Sequence, residues 1–130
     1  MYEAITRGVR VMATPRYLDD KSDPDDCRWF WAYTIEIANL SEMTVQLRTR
    51  HWRIIDAHGR CQEVRGPGVV GEEPVIPPGH AFEYTSGCPL PTSSGVMVGT
   101  YEMEAEDGER FSVEIPAFSL DVPGGAHVRH

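Results

Sequence analysis

The chain has 130 residues, 41% hydrophobic and 25% charged, which suits one compact domain and leaves little room for a second. Twenty acidic residues against twelve basic ones give a net charge of −8, which argues against a general nucleic-acid-binding role because duplex DNA would be repelled. No stretch has the apolar run of roughly 7–15 residues that a secretory signal needs, or the run of about 20 that spans a membrane, so a cytoplasmic protein with no membrane partner is expected.

From the N-terminus, Ile5, Val9 and Val11 form a short alternating apolar set. Residues 19–26 follow, dense in carboxylates. The spacing fails as a calcium loop: counted from Asp19, the sixth and twelfth positions hold Pro24 and Phe30, where glycine and glutamate are needed. A solvated hairpin loop is the expectation there. Trp29, Trp31, Tyr33, Ile35 and Ile37 then alternate with Phe30, Ala32, Thr34 and Glu36, predicting a strand with one strongly apolar face. Asn39, Leu40, Ser41 and Glu42 link it to the next run. There Val45 and Leu47 share one parity, and Trp52 and Ile54 share the other. No regular strand keeps both pairs on one face, so a bulge or bend is expected between Leu47 and Trp52.

Residues 56–59, Asp-Ala-His-Gly, read as a hairpin with glycine at a positive φ. Pro77, Pro78 and Gly79 stop one element before Phe82 and Tyr84 open another. Residues 84–92 look like a rigid loop between sheets, with apolar tips that could dock a partner. Met97, Tyr101 and Met103 form the next alternating set. Asp107-Gly108 is a hairpin signal ahead of Phe111, Val113 and Ile115. Phe118 and Leu120 take the opposite parity after Pro116, which predicts a second break. The sum is six to eight strands, no convincing amphipathic helix and an all-β antiparallel sandwich. Residues 1–122 are expected to form the domain and residues 123–130 a mobile tail.

One segment is locally basic. Arg48, Arg50, Arg53, Arg60 and Arg65 are opposed only by Asp56 and Glu63, and the segment ends at residues 66–71, Gly-Pro-Gly-Val-Val-Gly. This matches G-x-G-x-x-G, the glycine pattern that lets backbone N–H groups approach a pyrophosphate. The required context is missing. Pro67 removes a donor, and Glu72, Glu73, Pro74, Pro77 and Pro78 leave no room for the following helix. A turn or crossover between sheets is the first reading of these glycines. The candidate anion- or partner-binding set is Arg48, Arg50, Arg65, Gly66, Gly68 and Gly71, because guanidinium groups recognise phosphate and carboxylate bidentately. Arg48 and Arg50 share strand parity, so one solvated face is expected to carry both, with Glu36 or Glu83 as ordinary cross-strand partners.

No metal or cofactor is expected. Cys27, Cys61 and Cys88 are odd in number and include no Cys-x-x-Cys pair, which disfavours a closed zinc site and fits a reducing compartment. His51 and His58 lack a third ligand at useful spacing, and no recognised catalytic motif occurs.

The stretches Phe30-Trp31-Ala32-Tyr33, Val45-Gln46-Leu47-Arg48 and Arg50-His51-Trp52, with residues 64–71 and 82–90, resemble the ApaG family, also called CorD. The likeness runs from Tyr2 to Leu120. It implies a fibronectin type III or immunoglobulin-like sandwich in a small bacterial cytosolic protein. In eukaryotes the domain occurs in some F-box proteins and in a polymerase-δ-interacting protein, which implies a protein-interaction module. The family is linked by name and gene neighbourhood to diadenosine tetraphosphate hydrolysis, and genetically to cobalt resistance and magnesium efflux. Its glycine loop has been read as a pyrophosphate site. The expected function is therefore a non-enzymatic interaction or regulatory module with an unidentified protein partner. The alternatives are binding of a nucleotide, pyrophosphate or other phosphorylated small molecule, and an indirect link to cobalt and magnesium homeostasis. Edge strands leave a homodimer open.

Overall fold

The structure is a computed structural model and describes residues 1–123; the tail expected at 123–130 lies, from residue 124, outside the described residues. Among the described residues nine strands run in chain order: β1 (Tyr2–Thr6), β2 (Val9–Tyr17), β3 (Trp29–Asn39), β4 (Val45–Asp56), β5 (Cys61–Pro67), β6 (Val75–Ile76), β7 (Ala81–Leu90), β8 (Ser94–Ala105) and β9 (Arg110–Asp121). They form two antiparallel sheets packed face to face, with orders β1-β2-β3-β7 and β5-β4-β8-β9, and β6 pairs with the start of β4. The fold is the antiparallel β-sandwich that the alternation predicted, of the fibronectin type III-like kind that the family resemblance implied. The only helical segments among the described residues are two single 3-10 turns, Asp19–Lys21 and Pro24–Asp26.

The count exceeds the expected six to eight partly because the N-terminal apolar set is split. Arg7 and Gly8 adopt positive φ values of 50° and 81°, making a two-residue turn between Thr6 and Val9. Val9 and Val11 therefore point inward on β2, while Ile5 lies on the outer side of β1 and is exposed. The segment at residues 84–92 also departs from its expectation. Most of it is β7, paired through Leu90 with β3, and Tyr84, Cys88 and Leu90 are buried. Gly87 belongs in this strand because Phe30 lies across it: a Cβ there would approach Phe30 Cε1 to 2.7 Å.

Both parity breaks are bulges. The β4–β8 register shifts between Leu47 and Thr49, leaving Arg48 as the extra residue. The β8–β9 register shifts between Met97 and Gly99, opposite Pro116 and Ala117. These bulges keep Leu47 and Trp52, and Ile115 and Phe118, inside one core. Trp52 stands at its centre, with Tyr33, Phe118 and Tyr101 rings at 5.5, 6.0 and 6.5 Å in edge-on contacts. Trp31 Nε1 donates to the Asp121 carbonyl at 2.8 Å. The link after β3 is fixed by the fully buried Asn39, whose Nδ2 donates to the carbonyls of Met43 and Ile76 and whose Oδ1 accepts from Ser41.

The remaining turns follow the sequence. Asp56 Oδ1 accepts from the backbone N–H groups of His58 and Arg60, and Gly59 takes φ 83°. Gly108 takes φ 89° between β8 and β9.

Candidate functional site

The arginines that cluster in sequence separate in space, and the Arg48 bulge is the cause. Leu47 and Arg50 face inward on either side of it, so Arg48 and Arg50 do not share a face. This corrects the shared-parity expectation. Arg48 is clamped on the outer side between Glu73 at 3.1 Å and Glu104 at 3.3 Å. Glu36 and Glu83 lie on the other sheet, directly opposite one another in the β3–β7 register, so the expected pairing with Arg48 or Arg50 does not occur.

Arg50 turns toward the edge of its sheet. Its Nη1 donates to the Pro67 carbonyl at 3.0 Å and to the Gly68 carbonyl at 2.9 Å. Gly66 makes this possible, since a Cβ there would press on Nη1 at 3.2 Å. Arg50 therefore braces the glycine segment from beneath.

The glycine segment is a hairpin closed on itself. Val69 and Glu72 exchange backbone hydrogen bonds of 2.8 Å in both directions, and the Gly68 N–H donates to the Arg48 carbonyl at 2.9 Å. Val70 and Gly71 form the tip with φ values of 43° and 81°. A Cβ on Gly68 would run into the Glu72 carbonyl oxygen. Of the N–H groups a pyrophosphate would use, those of Gly68 and Val69 are thus engaged, and Pro67 has none. Gly68 and Gly71 thus lie in a tight turn at the end of β5, and Gly66 lies within the strand.

Arg65 has the opposite environment. It points outward from β5, its side chain is 70% exposed, and its nearest acidic partner, Glu63, stands at 3.8 Å. Beside it runs an open groove of about 560 Å³ across the outer face of β5, β4 and β8 to β9. The sheet register builds this groove in rows. Arg65, His51, Thr100 and Glu114 lie side by side on the four strands, and Pro67, Thr49, Glu102 and Ser112 form the next row. His51 Nε2 is 3.3 Å from Glu63 Oε2. The groove is basic toward β5, and its acidic lining residue, Glu102 on β8, stands 3.9 Å from Arg110. Thr49, Thr100, Glu102 and Ser112 went unnoticed in the sequence because they are ordinary polar residues spread over β4, β8 and β9; only the register brings them together.

The structure thus gathers Arg50, Arg65 and Gly66 around this groove, while Arg48 and the hairpin tip at Gly71 lie elsewhere. The acidic residues 19–26 form two exposed turns tied by Ser22, which accepts from the Phe30 N–H at 2.9 Å. Among the described residues no group of three His, Cys, Asp or Glu side chains is placed to hold a metal. No helix there is long and apolar enough to cross a membrane.

Comparison with known proteins gives a consistent picture. Residues 19–105 match the family model of the ApaG domain. The protein ApaG of Xanthobacter autotrophicus is 65% identical over 123 residues, covering 95% of each chain. That of Methylobacterium nodulans is 59% identical over the full length of both chains. Among solved structures, a Bordetella pertussis protein described as ApaA superposes with a TM-score of 0.87 at 49% identity, covering 88% of this chain and 94% of that one.

Proposed function

The chain belongs to the ApaG domain family, and from that premise we propose that it is a protein-interaction module whose contact face is the groove along β5. One observation carries the reading. β5 is an edge strand that pairs with β4 alone among the described residues, and it presents the exposed Arg65 beside an open groove. An extended acidic segment suits it: the free edge offers backbone hydrogen bonds, and Arg65 offers a bidentate partner for a carboxylate. Three unpaired thiols, Cys27, Cys61 and Cys88, support placing the module in the cytoplasm.

The test is site-specific photocrosslinking in cells that make the protein. A crosslinking residue at position 49 or 100 captures a discrete partner, whereas one at Thr34 or Thr85 on the outer face of the other sheet does not. Equal capture from both faces overturns the assignment of the surface. Steady hydrolysis of ATP or diadenosine tetraphosphate by the pure protein, lost in Arg65→Ala, overturns the module reading itself. Saturable amide shifts centred on Arg65 with pyrophosphate would replace the protein partner by a phosphorylated small molecule.

A further inference from the structure

The two flanks of the sandwich differ. On one flank β1 and β9 close the gap between the sheets: Tyr2 Oη and Ser119 Oγ are 2.9 Å apart, and the Glu114 N–H donates to Thr6 Oγ1 at 3.1 Å. On the other flank β5 and β7 are both sheet edges. Between them lies a cleft of about 240 Å³, walled by Trp52, Ile54, Val64, Tyr33 and Cys88, with Arg50 at one end.

Arg50 is fixed there through one nitrogen. Nη1 is held by two carbonyls, while Nε and Nη2 have no acceptor among the described residues. A pre-positioned guanidinium with unused donors, set against apolar and aromatic walls, is the arrangement that recognises an amphipathic anion. We propose that the cleft between β5 and β7 binds a small monocyclic carboxylic acid, its ring against Trp52, Ile54 and Val64 and its carboxylate on the Nε–Nη2 edge of Arg50.

Three arguments narrow the ligand to this class. A cavity of roughly 150 Å³ accommodates benzene, so the cleft has room for one ring and a carboxylate but not for a nucleotide. A phosphate dianion would lose more hydration among these walls than a singly charged carboxylate. The surroundings also stay neutral at ordinary pH: burial keeps the Tyr33 hydroxyl protonated above its usual range and pushes the Cys88 thiol up to about 11. No neighbouring anion on the cleft wall therefore competes for Arg50, and Tyr33 remains a donor. The cleft shares Arg50 with the outer groove but opens between the sheets, on the opposite side of β4 from His51 and Thr100.

The test is amide and methyl NMR of the full chain titrated with benzoate, and with benzyl alcohol as the uncharged control. The expected result is saturable benzoate shifts at Ile54, Val64, Ser86 and Gly87, with benzyl alcohol weaker by about tenfold or more, the size of a charge-assisted hydrogen bond. Arg50→Gln removes the preference for the acid. Because Arg50 also braces the 66–71 hairpin, Val64→Trp is the second variant: it fills the cleft from its rim and abolishes the benzoate shifts while the hairpin amides stay in place. Absence of saturation at tens of millimolar benzoate overturns the proposal. So do equal affinity for benzyl alcohol and benzoate shifts that map to Arg65 and the outer groove.

Discussion

Gly68 and Gly71 belong to one hairpin, yet the physical demands on them differ. Both hold a left-handed φ, 62° and 81°. Only Gly68 is crowded: a Cβ would strike the Glu72 carbonyl oxygen, whereas a Cβ on Gly71 meets nothing within 4 Å. Gly71→Ala is expected to lower stability by about 1 kcal/mol, the left-handed cost alone, and Gly68→Ala by about 3 kcal/mol. Urea denaturation of both variants measures the difference. Equal effects would mean that the close approach at Gly68 is unimportant. Val70, next to Gly71, shares the left-handed sign of φ without being glycine. Val70 is β-branched, exposed and at φ 43°, a conformation that such residues rarely adopt. Val70→Asn, which creates the Asn-Gly pair favoured in this turn, is expected to raise stability by about 1 kcal/mol in the same assay.

Strands carry their own imbalance. Glu36 and Glu83 stand directly opposite each other on β3 and β7, where like charges repel. Glu83→Lys replaces the repulsion with attraction and is expected to stabilise by about 0.5 kcal/mol. The gain should shrink as salt is added; a gain independent of salt would point to packing instead. Much of this level is legible in sequence. The alternation from Trp29 to Ile37 marks β3, and the parity switches at Leu47/Trp52 and Ile115/Phe118 mark both bulges, because one buried face fixes the period at two. The illegible parts have identifiable causes. Parity placed Arg48 and Arg50 together, but the location of a bulge within a run is set by the partner strand, and here it falls on Arg48. Residues 84–92 looked like a loop because glycine and two prolines interrupt them, yet Phe30 on the neighbouring strand supplies the contact that Gly87 lacks. The outer groove was illegible for a third reason: its rows are defined by register across four strands, and a single strand contains only one member of each.

At the scale of the whole molecule, net charge and buried hydroxyls act together on stability at high pH. Burial raises Tyr33, Tyr84 and Tyr101 above the ordinary 10.0, and Tyr84 and Tyr101 share a buried hydrogen bond. Burial also lifts the Cys88 thiol from 9.0 to about 11. Below pH 9.0 these groups hold their protons in both folded and unfolded chains, so their contribution to stability is fully present. As pH rises past 9.0 the unfolded chain releases the thiol proton, and past 10.0 the tyrosine protons, while the folded chain retains them. The unfolded state then binds fewer protons, and stability falls with each further step in pH. Self-repulsion acts in the same direction, because a molecule already at −8 gains negative charge. The expected outcome is that tyrosinate absorbance from Tyr33, Tyr84 and Tyr101 rises together with the loss of circular dichroism in a single alkaline transition. Phenylalanine replacements at the three positions assign the absorbance. Ionisation of these tyrosines near 10 with the dichroism intact would show that water reaches the inter-sheet hydroxyls, and that the open flank between β5 and β7 extends deeper into the core than the cleft beside Arg50.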